Sequence, residues 1–288
     1  MNIFYEIEGE VITLDLQGET IKGGDEVLLN KDINLLQNTN WNEEGYTIVP
    51  FVSDAEFATI KKGITQKIAK IIEDCGGKID ENFSLDKYHL YVDDEIHLKL
   101  AKTIKDGWLV SEFPIDFQII NDRMSEILGV KVATELKGSQ FDSFFLRIIR
   151  PKEFRDNNPP HRDVWIDRLR HAVNIYAPLS ASNMKSSLPI MPGSHLFKES
   201  EIVRTADGAF LNGTKYTVPC VISVKDEMPK LIRLDPKENE MMIFSPYMVH
   251  GGGYNLNEDT TRTSLEVRFW KVDSEASVSQ GDSGSLMM

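Results

Sequence analysis

Cysteine is almost absent from this chain. Cys75 and Cys220 lie far apart and stand at no zinc-finger spacing, which excludes a disulfide scaffold and makes a reducing, cytoplasmic setting the expectation. Long apolar runs are also missing. Phe144-Phe145-Leu146 and Met241-Met242-Ile243-Phe244 fall far short of the roughly 18 residues that a membrane span requires, and the opening Met1-Asn2-Ile3-Phe4-Tyr5-Glu6 has neither the basic nor the apolar region of a secretory signal. Basic charge is in deficit: 32 Lys+Arg face 45 Asp+Glu for a net charge of −13, so phosphate backbones and anionic bilayers are poor partners. What remains is an ordinary globular composition, 41% hydrophobic over 288 residues, long enough to bury a full core without staples.

Hydrophobic periodicity divides the chain. In the first forty or so residues weak alternation broken by glycines points to a strand or two of a hairpin. Ser53-Asp54-Ala55-Glu56 reads as a capping box, and Phe57, Ile60, Ile64, Ile68, Ile71 and Ile72 follow at steps of three and four until Gly76-Gly77 stops the helix. Two further helices are expected at 84–104 and 115–127. Beyond residue 130 the pattern changes to short β-branched and aromatic runs at 144–149, 171–179, 215–224, 240–245 and 262–272, with Asn212-Gly213 as a hairpin turn. Such strands without long intervening helices predict a mainly β protein with flanking helices, an antiparallel sandwich or barrel on which the N-terminal helices pack. One domain over 1–272 is expected, helix-rich at 41–130 and β at 131–272. The Ser/Gly-rich 273–288 is expected to be disordered.

Histidine is scarce enough to make the search for chemistry short: His89, His97, His161, His171, His195 and His250. His161 and Asp163 form the lone His-x-Asp pair. In extended chain, residues two apart project to one side, so the pair could bind one ion, or could equally be a loop ion pair. His250 follows the run 241–244 and precedes Gly251-Gly252-Gly253. Two histidines and one carboxylate would fill one face of an octahedral Fe(II), leaving three positions for a bidentate co-substrate and O₂. On the last strand Thr263, Leu265, Val267 and Phe269 make one face, and Arg262, Ser264, Glu266 and Arg268 the other. The polar face is either solvated or, in a closed sheet, directed inward, where arginine requires an anion and a co-substrate carboxylate supplies one.

The stretch Glu44-Gly45-Tyr46-Thr47-Ile48-Val49-Pro50, the His161-x-Asp163 pair, Met191-Pro192-Gly193-Ser194-His195, and His250 with Arg262 twelve residues on together resemble the phytanoyl-CoA dioxygenase family of Fe(II)/2-oxoglutarate oxygenases. The resemblance covers about residues 41–270. It implies a double-stranded β-helix (jelly-roll, cupin-like) core, with His161, Asp163 and His250 as catalytic iron ligands. It also implies that Arg262 and Ser264 hold the distal carboxylate of 2-oxoglutarate, with Arg268 as the second choice and Asn174 as a further contact. An intact Asp163 leaves no room for halide on iron, so the implied reaction is hydroxylation or a related oxidation of an unactivated C–H bond, with O₂ consumed and 2-oxoglutarate converted to succinate. His195 is expected to be structural in its turn, and His89 and His97 to be surface or packing residues.

The region 147–171 carries seven basic residues against four acidic ones. A cationic rim around the metal pair would gather an anionic small molecule, such as an organic acid, a sugar acid, or a phosphorylated or CoA-linked compound. Arg147, Trp165 and Arg168 are its candidate substrate contacts. The stretch 197–236 is long for a connection and is a candidate substrate-covering lid. The competing reading is a non-catalytic or cupin-like metabolite-binding β-helix, since fold alone does not fix function.

Overall fold

The computed structural model describes residues 1–104, 108–134 and 143–272. The tail 273–288, expected from composition to be disordered, lies outside the described residues. Side-chain parity along the strands decides the architecture. One sheet has the order Tyr46–Pro50, Glu240–Phe244, Ala172–Ser180, Arg262–Lys271, Ser143–Ile149 and Trp108–Leu109, with Val132–Ala133 paired to Arg262–Lys271. Its odd and even positions face different solvents. Phe144, Leu146, Val173, Ile175, Met241, Ile243, Leu265, Val267 and Phe269 turn toward the helices and join one core with them. Their neighbours Arg147, Asn174, Tyr176, Phe244, Arg262 and Arg268 face a cleft on the other side.

The helices cover the outer face as their pattern predicts. Helix α1 (Asp54–Asp74) has Ser53 at its N-cap with the reciprocal Glu56 contact of a capping box, and buries Phe57, Ile60, Ile64, Ile68 and Ile72. Each fully buried isoleucine contributes roughly 1.5–3 kcal/mol, which outweighs the cap at about 1 kcal/mol. Helices α2 (Asp94–Ile104) and α3 (Gln118–Leu128) complete the layer. The helix expected at 84–104 is broken: Leu85–Leu90 forms a 3-10 turn, and α2 restarts where Asp93 Oδ1 accepts from the Ile96 N–H at 2.8 Å. Asp93 thereby satisfies one of the unpaired N–H groups of the new first turn, as a cap does.

The opposing layer is assembled from short pieces. Lys230–Arg233 pairs with Pro189–Ile190, Ile190 bridges His250, and His250 bridges His161. The Val221 N–H donates to the Pro160 carbonyl at 2.7 Å, so two smaller sheets are stitched into one curved layer through the histidine segments. In chain order the strand Ser143–Ile149 lies in the first layer, residues 159–161 in the second, Ala172–Ser180 in the first and Pro189–Ile190 in the second. Lys230–Arg233 then keeps to the second layer, Glu240–Phe244 returns to the first, 249–250 lies in the second and Arg262–Lys271 in the first. This crossing path is a double-stranded β-helix, the jelly-roll core expected from sequence, with the helices outside one face.

The N-terminal strands Asn2–Ile7 and Glu10–Gln17 form the expected hairpin and add in parallel to Lys230–Arg233. The expected strand 215–224 is two strands, Thr214–Tyr216 and Val221–Val224. The stretch 197–236 does not cover the cleft as a lid would. Its hairpin Ala209–Leu211/Thr214–Tyr216 turns at Asn212-Gly213, with φ of 45° and 79°, and pairs with Glu10–Gln17 at a sheet edge. Leu211 and Tyr216 bury beside Ile12, Leu14 and Leu16, and that apolar burial fixes the hairpin as sheet.

Candidate metal centre

The centre of the second layer carries the histidines. His161 and His250 exchange both backbone hydrogen bonds, at 2.9 and 3.0 Å, which brings their rings to 4.4 Å between centroids. Each ring is oriented by its own chain. Nδ1 of His161 lies 2.8 Å from the Pro159 carbonyl, and Nδ1 of His250 lies 2.9 Å from the Met248 carbonyl. A carbonyl only accepts, so each Nδ1 carries the proton and each Nε2 presents a lone pair. Asp163 stands two residues beyond His161, at the start of a short 3-10 turn, and places Oδ1 at 3.3 Å from His161 Nε2 and 3.7 Å from His250 Nε2. One ligand atom from each residue lies within 4.8 Å of the others, and all three residues are buried.

Electrostatics keeps these groups ready to ligate. Burial raises the Asp163 carboxyl, but its charged surroundings, the Arg268 guanidinium foremost, hold the group well below its ordinary range. Burial, reinforced by His161, pushes His250 down to about 4, against the upward pull of Asp163. For Asp163 and His250 these are the protonation states a metal needs, a carboxylate and a neutral imidazole. The donor set, two imidazole nitrogens and a carboxylate oxygen on one side of a cleft, fits Fe(II) with positions left open.

The strand Arg262–Lys271 forms the facing wall. Its polar face points into the cleft, as the closed-sheet reading requires. Arg262 is 3% exposed; its Nη1 donates to Ser264 Oγ at 3.2 Å, its guanidinium lies over the Tyr176 ring, and its Nε has no partner. Among the described residues no carboxylate pairs with it. Arg233, also buried, adds like charge nearby and is drawn down to about 10 by burial and by Arg262. Arg268 differs: its Nη2 donates to Asp163 Oδ2 at 3.0 Å. Asn174 Nδ2 donates to the same oxygen at 2.9 Å, while its Oδ1 has no partner.

The cationic rim is largely spent on internal pairs. Arg147 binds Glu266 at 3.1 Å, Arg150 binds Asp156 and Asp94, Arg155 binds Asp94, Arg162 binds Glu199, and Arg170 binds Asp167. Trp165 is not among the residues that line the cleft. Its Nε1 donates to Glu199 at 3.0 Å and Arg204 stacks on its ring. Arg168 is not among the cleft-lining residues, whereas Arg147 is. His195 is structural as expected, its Nε2 lying 2.8 Å from the Asn42 carbonyl.

Several contributors escaped the sequence reading. Arg162, between two ligands, is fully buried and also donates to the Ser194 carbonyl, which ties the metal turn to the turn at 193–196. His97 bonds Tyr88 on one nitrogen and Asp156 on the other, at 3.0 and 3.1 Å, and so docks α2 behind the cleft wall. Tyr176 was within reach of pattern reasoning, because it shares the face of Asn174 two residues on.

No model of a known protein family matches the chain, and no curated protein matches its sequence. Solved structures with partial likeness include EctD from S. alaskensis in its apoform, 15% identical over 88% of this chain and 84% of that one, with a TM-score of 0.45. Another, described as a non-heme alpha ketoglutarate dependent carbocyclase, SnoK, from nogalamycin biosynthesis, is 13% identical over 87% and 88%, at 0.42. EvdMO1 is 18% identical over 80% of this chain at 0.41, and the chain spans about half of its length, 48%. No helix among the described residues is long and apolar enough to cross a membrane.

Proposed function

We propose that the chain is an Fe(II)/2-oxoglutarate-dependent oxygenase acting on a C–H bond of a small organic molecule. The observation that carries this reading is the pairing, in one cleft, of a converging His161–Asp163–His250 set with a buried Arg262 that has no acid of its own. A buried, uncompensated guanidinium is costly, and a dicarboxylate that reaches from Arg262 toward the metal ligands removes that cost. Bound iron and 2-oxoglutarate would supply the oxidation, using O₂ and releasing succinate and carbon dioxide. His161, Asp163 and His250 would hold the metal. Arg262 would fork the distal carboxylate with Ser264 adding a hydroxyl, while Tyr176, Phe244 and Leu188 would keep that end of the cleft dry. Asp163 fills the carboxylate position, which favours hydroxylation over halogenation.

The substrate end is cationic at one residue rather than along a rim. Arg147 lines the cleft, is 40% exposed along its side chain, and uses Nε for both Glu266 oxygens. An anionic substituent on the substrate would meet its outer edge. The test is anaerobic addition of Fe(II) and then 2-oxoglutarate to the purified chain. A new visible absorption band that requires both and is lost in Arg262→Met supports the reading; a folded protein that gives no band overturns it.

A further inference from the structure

Asp163 has two oxygens with different surroundings. Oδ1 faces the two Nε2 atoms, whereas Oδ2 accepts from Asn174 at 2.9 Å and Arg268 at 3.0 Å. The acceptor is a carboxylate, which fixes the Asn174 amide with its nitrogen toward it. Arg268 is itself restrained: its guanidinium lies over the Phe145 ring, and Glu266, which pairs with Arg147, lies two residues back on the same face and attracts it.

We infer that Arg268 and Asn174 are positioning residues for the metal: by occupying Oδ2 they make Asp163 a one-oxygen ligand through Oδ1 and set the angle at which it meets His161 and His250. This rests on the metal-site reading above and adds to it a role for the two residues that stand behind the carboxylate ligand. The geometry also separates Arg268 from co-substrate binding, since its charge is already matched by Asp163 and Glu266. Partners behind a ligand fix its orientation and commonly govern metal affinity roughly 10- to 100-fold.

Charge alone predicts the opposite sign. A guanidinium beside a dication repels it, so removing Arg268 would tighten binding if orientation were unimportant. The experiment is titration of the metal-free full chain with Co(II), without 2-oxoglutarate, following affinity by calorimetry and coordination by the visible spectrum. The variants are Arg268→Gln, Arg268→Lys and Asn174→Ala, each first checked for a cooperative thermal transition. The expected result is that Arg268→Gln weakens Co(II) about tenfold or more and shifts its spectrum. Arg268→Lys, which keeps charge but loses the planar reach, should fall on the same side, and Asn174→Ala should weaken binding to a smaller extent. Tighter or unchanged binding in Arg268→Gln with an unshifted spectrum overturns the positioning role while leaving the metal site standing. Failure of the unaltered chain to bind Co(II) overturns both. Asn174→Ala provides the same decision if the Arg268 variants do not fold.

Discussion

Two arginines on one face of one strand, Arg262 and Arg268, show how differently burial can be used. Both line the cleft. Arg268 is matched by Asp163 and Glu266, and Glu266 in turn by Arg147, so its charge is compensated within the protein. Arg262 has a serine hydroxyl, an aromatic face and another buried arginine near it. A compensated cation at the cleft wall is architecture, whereas a buried, uncompensated one marks where a ligand's charge belongs. Stability and co-substrate carboxylate binding should therefore fall at opposite ends of the strand.

The sharpest break comes at the compensated end. Asp163→Ala should abolish Fe(II)-dependent turnover of 2-oxoglutarate and, by stranding Arg268, cost about 3–5 kcal/mol of stability; activity assay and urea midpoint read the two. Retained turnover would remove Asp163 from the ligand set. At the other end Arg262→Met should weaken 2-oxoglutarate about 100-fold, a loss of about 2.7 kcal/mol. The ligand-free chain should be as stable as before or more so, because an unpaired buried charge is replaced by apolar volume. A ligand-free variant that is clearly less stable would mean Arg262 is architectural too. Glu266→Gln tests the compensation itself and should lower the urea midpoint by the equivalent of about 2 kcal/mol without changing 2-oxoglutarate affinity.

What was legible in the sequence follows the same division between local and distant partners. The helix after Ser53 and four of the five late strands depend on residues a few places apart, and their outlines are correct; the run 215–224 breaks into two strands, and the last strand's two faces were separable without saying which way the polar one turned. Six histidines made the search for the triad short, but its three members were assigned together only through the resemblance carried by their order with the stretch 191–195 and Arg262. The second layer was not legible, since Pro159-Pro160 and Gly251-Gly252-Gly253 flank single-residue bridges at His161 and His250 that carry no alternation to detect. The cationic segment misled for a related reason. A count of charges near His161 cannot include Asp94, Glu199 and Glu266, which arrive from elsewhere in the chain to neutralise it. Arg147, one of the arginines that stay on the cleft, is distinguished only by partial exposure.

Arg150, another buried arginine, extends the comparison to a compensated pair behind the strand. Arg150 is held by Asp156 and Asp94, and Asp156 also binds His97. Burial raises the Asp156 carboxyl, but His97 and Arg150 more than offset this and leave it below its ordinary range. A carboxylate depressed in the folded state adds stability that is complete above the unfolded carboxylate pKa, about 4. That contribution is lost as pH falls through the lower folded value. Asp156→Asn should accordingly cost about 1.5 kcal/mol near pH 7, with metal affinity little changed. The gap to the unaltered protein should narrow as pH drops below about 4, followed by urea unfolding at several pH values. A gap that stays constant to low pH would mean that Asp156 acts through packing, and that compensation of Arg150 is not what holds α2 against the wall of the cleft.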